Sequence, residues 1–226
     1  MIKCAIFDLD GTLVNSMKYW SIAPLDYAKM KNLNIADPLS LSETFLSMSL
    51  PESAKYFKDV YNVLDSIDKI CEDIDSIMEN YYLKYVSVKP GILAILQYLD
   101  SKGISMGIAT ATDRFLVKKT IVKLGIDKYF KEILTSSEVG SSKQKPDIYI
   151  KLSEKMGFTP DETLIFEDLP YGIISSGKVG FHTIGLYDEP SKHLQDKIRS
   201  NAHLYLRRTN RIGLARIKNF IKKCEK

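Results

Sequence analysis

Histidine, tryptophan and cysteine are all scarce in this chain of 226 residues, which has three histidines, one tryptophan and three cysteines. The cysteines Cys4, Cys71 and Cys224 are far apart and odd in number, so they form neither a zinc-binding spacing nor a disulfide framework. The histidines likewise have no spacing typical of a metal centre or a catalytic triad. We therefore expect a reducing compartment, and the cytoplasm is the default.

Long apolar runs are lacking as well. Asp8 and Asp10 interrupt the first apolar stretch, and no segment approaches the ~20 apolar residues that a membrane-spanning helix needs. Apolar residues make up 45% of the chain and charged residues 27%, as in ordinary globular proteins. These values predict a cytoplasmic protein that has no membrane partner and is long enough for one core with a smaller inserted domain.

The net charge is +4, and much of the positive excess lies near the end of the chain. The late cations are Arg207, Arg208, Arg211, Arg216, Lys218, Lys222, Lys223 and Lys226. Apolar residues lie among them at roughly helical spacing, namely Ile212, Ala215, Ile217, Phe220 and Ile221. This pattern predicts a terminal amphipathic helix with a solvated basic face. No basic-aromatic platform or recognition-helix motif accompanies the charge, so we expect no nucleic-acid partner.

Two regions differ in their periodicity. From about residue 90 onward, apolar strands alternate with helices that end at glycines, which predicts an α/β fold: a Rossmann-like, doubly wound, mostly parallel sheet. Residues 15–87 contain only helical spacing and hold ten of the 23 aromatic residues. We therefore predict a core domain of residues 1–14 plus 88–226, interrupted by a small helical domain at 15–87.

Two aspartates, Asp8 and Asp10, follow a short apolar strand that begins at Ile2, and Gly11 then breaks the extended backbone. The carboxyl edge of an open α/β sheet is where ligands usually bind. Two carboxylates this close repel each other, so they need a cation, or one of them must hold a proton. Hard oxygen ligands of this kind suit Mg²⁺. For an isolated Asp-x-Asp, a strand-ending turn in which both carboxylates cap backbone amides is the favoured explanation.

Three further motifs follow in order along the chain. Gly107–Thr110 ends a second apolar strand with a hydroxyl, Lys145-Pro146-Asp147 puts a lysine just before a helix, and Thr163–Asp168 ends another strand with paired acids. Acid pair, hydroxyl, lysine and acid pair, in this order, resemble the four motifs of the haloacid dehalogenase superfamily. The resemblance runs from Ile2 to about Asp188 and favours the β-phosphoglucomutase-like and phosphatase branch, which carries a helical cap.

This resemblance implies a role for each motif residue. Asp8 would be the nucleophile and a magnesium ligand, and Asp10 would act as general acid and base while giving its backbone carbonyl to the metal. Asp168 would be a further metal ligand, and Glu167 would reach the metal through water or orient another group beside it. Lys145 would place its charge beside the phosphoryl group and Asp8.

Several residues near these motifs are further candidates. Gly11 and Thr12 are predicted to shape a loop whose amides face phosphate. Thr110, with the amide of Ala111, either binds phosphoryl oxygens or is a strand-end residue that satisfies a turn. Two weaker candidates for substrate contact follow. Arg114 either reaches the substrate or is a solvated helix arginine, and Trp20 either stacks on the substrate or packs within the helical domain.

The predicted function is a Mg²⁺-dependent phosphatase acting on a small phosphorylated metabolite, with a sugar phosphomutase as the alternative. Residues 15–87 contain no histidine or arginine with which to hold a sugar bisphosphate, and Thr12 follows Gly11 as in many phosphatases of the superfamily. Asp10 speaks against carbon–halogen chemistry, and the order of motifs rejects a receiver domain. A non-catalytic relative is disfavoured because every catalytic position carries a competent side chain. Nothing in the sequence requires more than a monomer.

Overall fold

The computed structural model describes residues 1–46 and 48–224, apart from the side chains of Glu43 and Leu46. The chain divides into two compact units. The core unit comprises Met1–Asn15 and Ser87–Lys226, and the helical unit comprises Ser16–Val86. Lys226, counted above among the late cations, lies outside the described residues. None of the helices in the described ranges has both the length and the apolar character needed to cross a membrane.

The core unit is built on a six-stranded sheet whose strands all pair in parallel. Its strands are β1 (Cys4–Phe7), β2 (Ser105–Thr110), β3 (Phe130–Thr135), β4 (Thr163–Glu167), β5 (His182–Leu186) and β6 (Leu204–Leu206). The spatial order is β3-β2-β1-β4-β5-β6, so the chain fills one side of β1 before it crosses to the other. The predicted Rossmann-like, mostly parallel fold is confirmed.

Every residue of β1 and β4 is buried, as expected for central strands that are covered on both faces. Their register pairs Phe7 with Phe166, and the two rings stack with centroids 4.2 Å apart. Asp8 and Glu167 are therefore the next residues on neighbouring strands. The connections run toward β3 on one side of β1 and toward β6 from β4 onward, so the strand order reverses between β1 and β4. Ligands bind at such a switch point in open α/β sheets.

Helices connect and flank the strands of the core unit. They are α6 (Ile92–Ser101), α7 (Arg114–Lys123), α8 (Ser136–Val139), α9 (Asp147–Lys155), α10 (Pro170–Gly177), α11 (Gln195–Asn201) and α12 (Arg211–Cys224). The sequence did not predict β6 or α11, because both are too short to develop a clear periodicity. In α12 the buried stripe is Gly213, Ile217 and Ile221, whereas Ile212 is exposed. The helix therefore forms as predicted but is rotated relative to the expected apolar face.

The helical unit contains α1 (Met17–Trp20), α2 (Ala23–Met30), α3 (Pro38–Leu46), α4 (Leu50–Tyr61) and α5 (Ile67–Lys84). Ser66 caps α5 by accepting a hydrogen bond from the backbone amide of Lys69. Four residues spaced by four bury one stripe of α5, namely Ile70, Ile74, Met78 and Tyr82. Aromatic rings from α2 and α4 meet where Tyr27 and Phe57 lie with centroids 4.7 Å apart. Large side chains thus supply most of the core of this small bundle.

Candidate active site

Three buried acids meet at the carboxyl edge of the sheet. Asp8, Glu167 and Asp168 each offer a carboxylate oxygen, and these oxygens lie within 4.8 Å of one another. The parallel register of β1 and β4 causes this meeting, since Asp8 and Glu167 stand side by side at neighbouring strand ends. Three buried carboxylates this close together cannot all stay ionised unless positive charge balances them. The site is therefore suited to bind cations.

One such cation is the ammonium group of Lys143, which corrects the expectation for Lys145. Lys143 is only 6% exposed, and its Nζ contacts Asp8 Oδ1 and lies 2.8 Å from Glu167 Oε1. Lys145 is exposed to solvent. The hydroxyl of Ser175 donates to the Lys143 carbonyl over 2.8 Å and holds this part of the loop against α10. No local pattern separates two lysines two positions apart, so only the path of the loop identifies Lys143.

Glu167 receives hydrogen bonds on both of its carboxylate oxygens. Lys143 Nζ and the Tyr149 hydroxyl both donate to Oε1 over 2.8 Å. The backbone amides of Asp168 and Leu169 donate to Oε2 over 3.2 and 3.3 Å. A carboxylate can accept about four hydrogen bonds, so these four donors satisfy Glu167. A Cβ atom on Gly172 would lie 2.6 Å from Glu167 Cδ, which explains why glycine stands there. Glu167 is consequently fixed in one orientation.

Asp168 is fully buried and only half satisfied. The Thr12 hydroxyl donates to its Oδ1 over 3.0 Å, while Oδ2 is buried with no hydrogen-bond partner among the described residues. Gly11 has a φ of +79°, and a Cβ there would lie 2.3 Å from Asp168 Oδ2. Glycine is thus required both by the left-handed backbone and by the close approach of the carboxylate. The Thr12 hydroxyl is thus engaged with Asp168, and the predicted contact of the Gly11 and Thr12 amides with phosphate stays a prediction.

Burial dominates the acid–base behaviour of these groups. It raises the pKa of the Asp8 carboxyl to about 8, with Glu167 and Asp10 adding to the rise and Lys143 opposing it. It also raises the pKa of Asp168 well above its usual range, and the charges of Asp8 and Glu167 act in the same direction. Burial lowers the pKa of Lys143, but Asp8 and Glu167 more than reverse this, so Lys143 remains an ammonium ion. Lys143 thus places one positive charge beside three carboxyl groups, so a further cation could still be neutralised there.

Asp10 and Thr110 are joined by a residue that the sequence analysis did not select. The Thr112 hydroxyl donates to Asp10 Oδ2 over 2.6 Å, and the Thr112 amide donates to Thr110 Oγ1 over 3.1 Å. Thr110 ends β2 fully buried, next to β1. The segment that follows β2 therefore connects the second aspartate to the predicted phosphate-binding hydroxyl.

Lys89 is a second cation of the core unit that sequence patterns did not reveal. Its Nζ donates to the Gly11 carbonyl, to the Tyr187 carbonyl over 3.0 Å and to Asp188 Oδ1 over 2.7 Å. Asp188 is buried, and burial raises its pKa even though Lys89 opposes the rise. Lys89 thus ties the Gly11 loop to the segment after β5.

Arg114, Ala111 and Trp20 are the remaining residues that were predicted to contact substrate. Arg114 pairs with Glu138 and donates to the Ile133 carbonyl, so its guanidinium group is engaged with protein groups beside β3. Ala111 follows Thr110 and is exposed. Within the helical unit, Trp20 Nε1 donates to the Tyr82 hydroxyl over 3.2 Å, which favours the packing interpretation. Contact of Trp20 or Ala111 with substrate stays a prediction.

A parallel α/β sheet with paired acids, a hydroxyl and a lysine at its carboxyl edge defines a hydrolase of the haloacid dehalogenase type. The model of the haloacid dehalogenase-like hydrolase family matches residues 5–186. The chain belongs to this family, as predicted.

Relatives of the chain include several named phosphatases. A phosphorylated carbohydrates phosphatase of Thermotoga maritima is 21% identical over 183 residues, which cover 81% of this chain and 84% of the relative. The pyrophosphatase PpaX of Oceanobacillus iheyensis is 26% identical over 184 residues, which cover 80% and 82% of the two chains. The predicted enzyme class, a phosphoric monoester hydrolase of the haloacid dehalogenase type, is confirmed.

Solved structures share the fold at low sequence identity. β-Phosphoglucomutase from Clostridium difficile aligns with a TM-score of 0.79 at 19% identity, covering 99% of this chain and 98% of that one. CbbY from Rhodobacter sphaeroides aligns with a TM-score of 0.80 at 18% identity, covering 94% and 97%. The similarity extends over nearly the whole chain and concerns the fold alone.

Proposed function

We propose that this protein is a Mg²⁺-dependent phosphatase that hydrolyses a small phosphorylated metabolite through an aspartyl-phosphate intermediate. The observation that carries the proposal is the buried cluster of Asp8, Glu167 and Asp168 with Lys143 beside it. Phosphoryl transfer depends mainly on positioning and on neutralising charge around phosphorus. Acids that hold a metal, together with a fixed lysine, supply both.

The residues present fit a magnesium ion. Asp168 Oδ2 is buried without a hydrogen-bond partner among the described residues, as expected for an oxygen kept for a metal. We assign the metal to the carboxylates of Asp8 and Asp168 and the backbone carbonyl of Asp10. Glu167 would reach the metal through water or orient another ligand, because donors already occupy both of its oxygens. When bound, Mg²⁺ would neutralise the phosphoryl oxygens and the acid cluster.

The reaction proceeds in two displacements at phosphorus. An oxygen of the Asp8 carboxylate attacks phosphorus, the bond from phosphorus to the ester oxygen breaks, and Asp10 gives its proton to the departing alcohol. A water molecule then attacks the phosphorus of the aspartyl-phosphate and gives a proton to Asp10. The bond to Asp8 breaks and inorganic phosphate leaves. Asp10 thus ends each cycle protonated, as it began, with its new proton taken from water.

The surrounding groups hold the phosphoryl oxygens during these steps. Lys143 contacts Asp8 and offers a compact positive charge to the transferring group. Thr110 accepts a hydrogen bond from the Thr112 amide, which directs its own hydroxyl hydrogen elsewhere, toward the phosphate in our proposal. The amide of Ala111 and those of the Gly11–Thr12 turn would add further donors. These donors stabilise charge that develops in the transition state.

The substrate that we propose is a phosphorylated carbohydrate or a similar small phosphate ester. Relatives named as a phosphorylated carbohydrates phosphatase and as hexitol phosphatase B of Escherichia coli support this class. A sugar phosphomutase is the alternative, because the fold resembles β-phosphoglucomutase. The helical unit argues against it, since residues 16–86 contain no histidine or arginine with which to grip a second phosphate.

The proposal is tested with purified protein and a panel of phosphorylated metabolites, with p-nitrophenyl phosphate as a generic ester. We expect Mg²⁺-dependent release of phosphate that EDTA abolishes, and almost no turnover by Asp8→Asn, because an amide neither attacks phosphorus nor binds Mg²⁺ well. Full activity of Asp8→Asn would exclude Asp8 as nucleophile. Conversion of β-glucose 1-phosphate into glucose 6-phosphate, in place of glucose and phosphate, would favour the mutase.

A further inference from the structure

The segment between β2 and α7 contains a hydroxyl that no catalytic motif of the sequence includes. Thr112 is 8% exposed, and its Oγ1 donates to Asp10 Oδ2 over 2.6 Å. A donor at this distance from a carboxylate makes a short, charge-assisted hydrogen bond. It restrains rotation of the carboxyl group, because turning the group would break the bond inside a largely buried site.

Thr112 is itself held in place from both sides. Its amide donates to Thr110 Oγ1, which anchors it to the end of β2. The next residue, Asp113, caps α7 by accepting a hydrogen bond from the Phe115 amide over 2.8 Å. Thr112 therefore lies between a strand end and a helix start, and its hydroxyl approaches Asp10 from a rigid support.

We infer that Thr112 is a positioning residue that aims the Asp10 carboxyl at the departing oxygen of the substrate, an inference that rests on the proposed phosphatase function. Thr112 touches neither phosphorus nor the ester oxygen; it acts through Asp10. Proton transfer is efficient only within hydrogen-bond reach and in the right direction, so a carboxyl that rotates freely is a poorer general acid.

Leaving-group dependence separates this role from a structural one. p-Nitrophenolate departs readily without a proton, whereas phenolate is more basic and needs one more strongly. A misaligned Asp10 therefore slows cleavage of phenyl phosphate more than cleavage of p-nitrophenyl phosphate. The parameter to compare is kcat/KM, because it reports the step in which the ester bond breaks, whereas kcat includes hydrolysis of the aspartyl-phosphate, which is common to both esters.

The experiment measures kcat/KM of wild type, Thr112→Val and Thr112→Ser on both esters with Mg²⁺. We expect Thr112→Val to lower the value for phenyl phosphate about 10- to 100-fold, as for loss of one bond to a charged group. The value for p-nitrophenyl phosphate should fall by at most about threefold. Thr112→Ser keeps the hydroxyl and should restore the wild-type ratio of the two values.

Thr120→Val is the matched control. Thr120 is also buried, but its hydroxyl donates to the Leu116 carbonyl within α7, so removing it should leave the ratio unchanged. Equal losses on both esters, or no loss, in Thr112→Val would overturn the inference and leave the phosphatase intact. Should Thr112→Val fail to fold, an altered ratio in Thr112→Ser would overturn it equally. A wild type that cleaves neither ester would instead remove the proposed function itself.

Discussion

Replacing Lys143 by methionine is the sharpest test of the charge balance at this site. Lys143 is the ammonium group in contact with Asp8 and Glu167, and its side chain is 6% exposed. Methionine has a similar length and no charge, so the change removes the cation with little loss of packing. Lys145→Met makes the same change two residues away, at an exposed position.

The expected loss of stability follows from leaving two buried carboxylates without their cation. Breaking a buried ion pair by removing one partner costs about 3–5 kcal/mol. Asp8 can take up a proton when Lys143 is absent, since burial raises the Asp8 pKa to about 8 even while Lys143 is present and opposes the rise. The cost at neutral pH should therefore lie at the lower end, about 3 kcal/mol, or about 6–12 °C in Tm for a chain of this size. Lys145→Met should change stability by less than about 0.5 kcal/mol.

Activity and stability should be measured together on both variants. Thermal unfolding without metal gives the change in stability, and kcat for p-nitrophenyl phosphate with Mg²⁺ gives the effect on turnover. We expect Lys143→Met to lower kcat about 10²–10³-fold, as for loss of one fixed charge-stabilising donor. Lys145→Met should behave as wild type. The reverse pattern, with Lys145→Met inactive and Lys143→Met active, would refute the assignment of Lys143.

Three further outcomes are expected. Asp168→Asn should abolish the rise in Tm that Mg²⁺ causes. For wild type, Mg²⁺ at a hundred times its Kd should add about 2.7 kcal/mol of stability, and Asp113→Asn, at an exposed helix cap, should keep this rise. An unchanged rise in Asp168→Asn would exclude Asp168 as a ligand. Gly11→Ala should weaken Mg²⁺ binding about 10- to 100-fold in calorimetry, because its Cβ would displace Asp168 Oδ2. Gly103 has a similar φ but open space around it, so Gly103→Ala should cost only about 1–2 kcal/mol of backbone strain and leave metal binding unchanged. Equal metal affinity in the two variants would contradict this. The pKa of His203 is lowered by burial, and its Nδ1 accepts a hydrogen bond from the Thr183 amide. The contribution of neutral His203 to the free energy of unfolding should therefore be fully present above about pH 6.5 and be lost as acid protonates the ring. Chemical denaturation against pH should show a flatter profile for His203→Gln than for His193→Gln, and identical profiles would speak against this linkage.

Several features of this protein followed from the sequence because they depend on neighbouring residues. Burial on both faces makes β1 and β4 continuous apolar runs, and a chain reversal after such a run delivers the next polar residues to the sheet edge. Asp8, Asp10, Glu167 and Asp168 were selected on this basis, together with a motif order that resembles the haloacid dehalogenase superfamily. The alternation of strands and helices likewise predicted the parallel sheet, because parallel strands need crossover connections.

Other features needed the tertiary structure because they join residues far apart in the chain. Lys143 and Lys145 have the same side chain in the same loop, and only the packing of that loop against Ser175 decides which ammonium group reaches Asp8. Thr112 gains its contact with Asp10 only when β1 and β2 pair. Local patterns determine which residues end strands, whereas long-range packing decides which side chains share a buried charge, since a carboxylate finds its partner by distance in space and not along the chain.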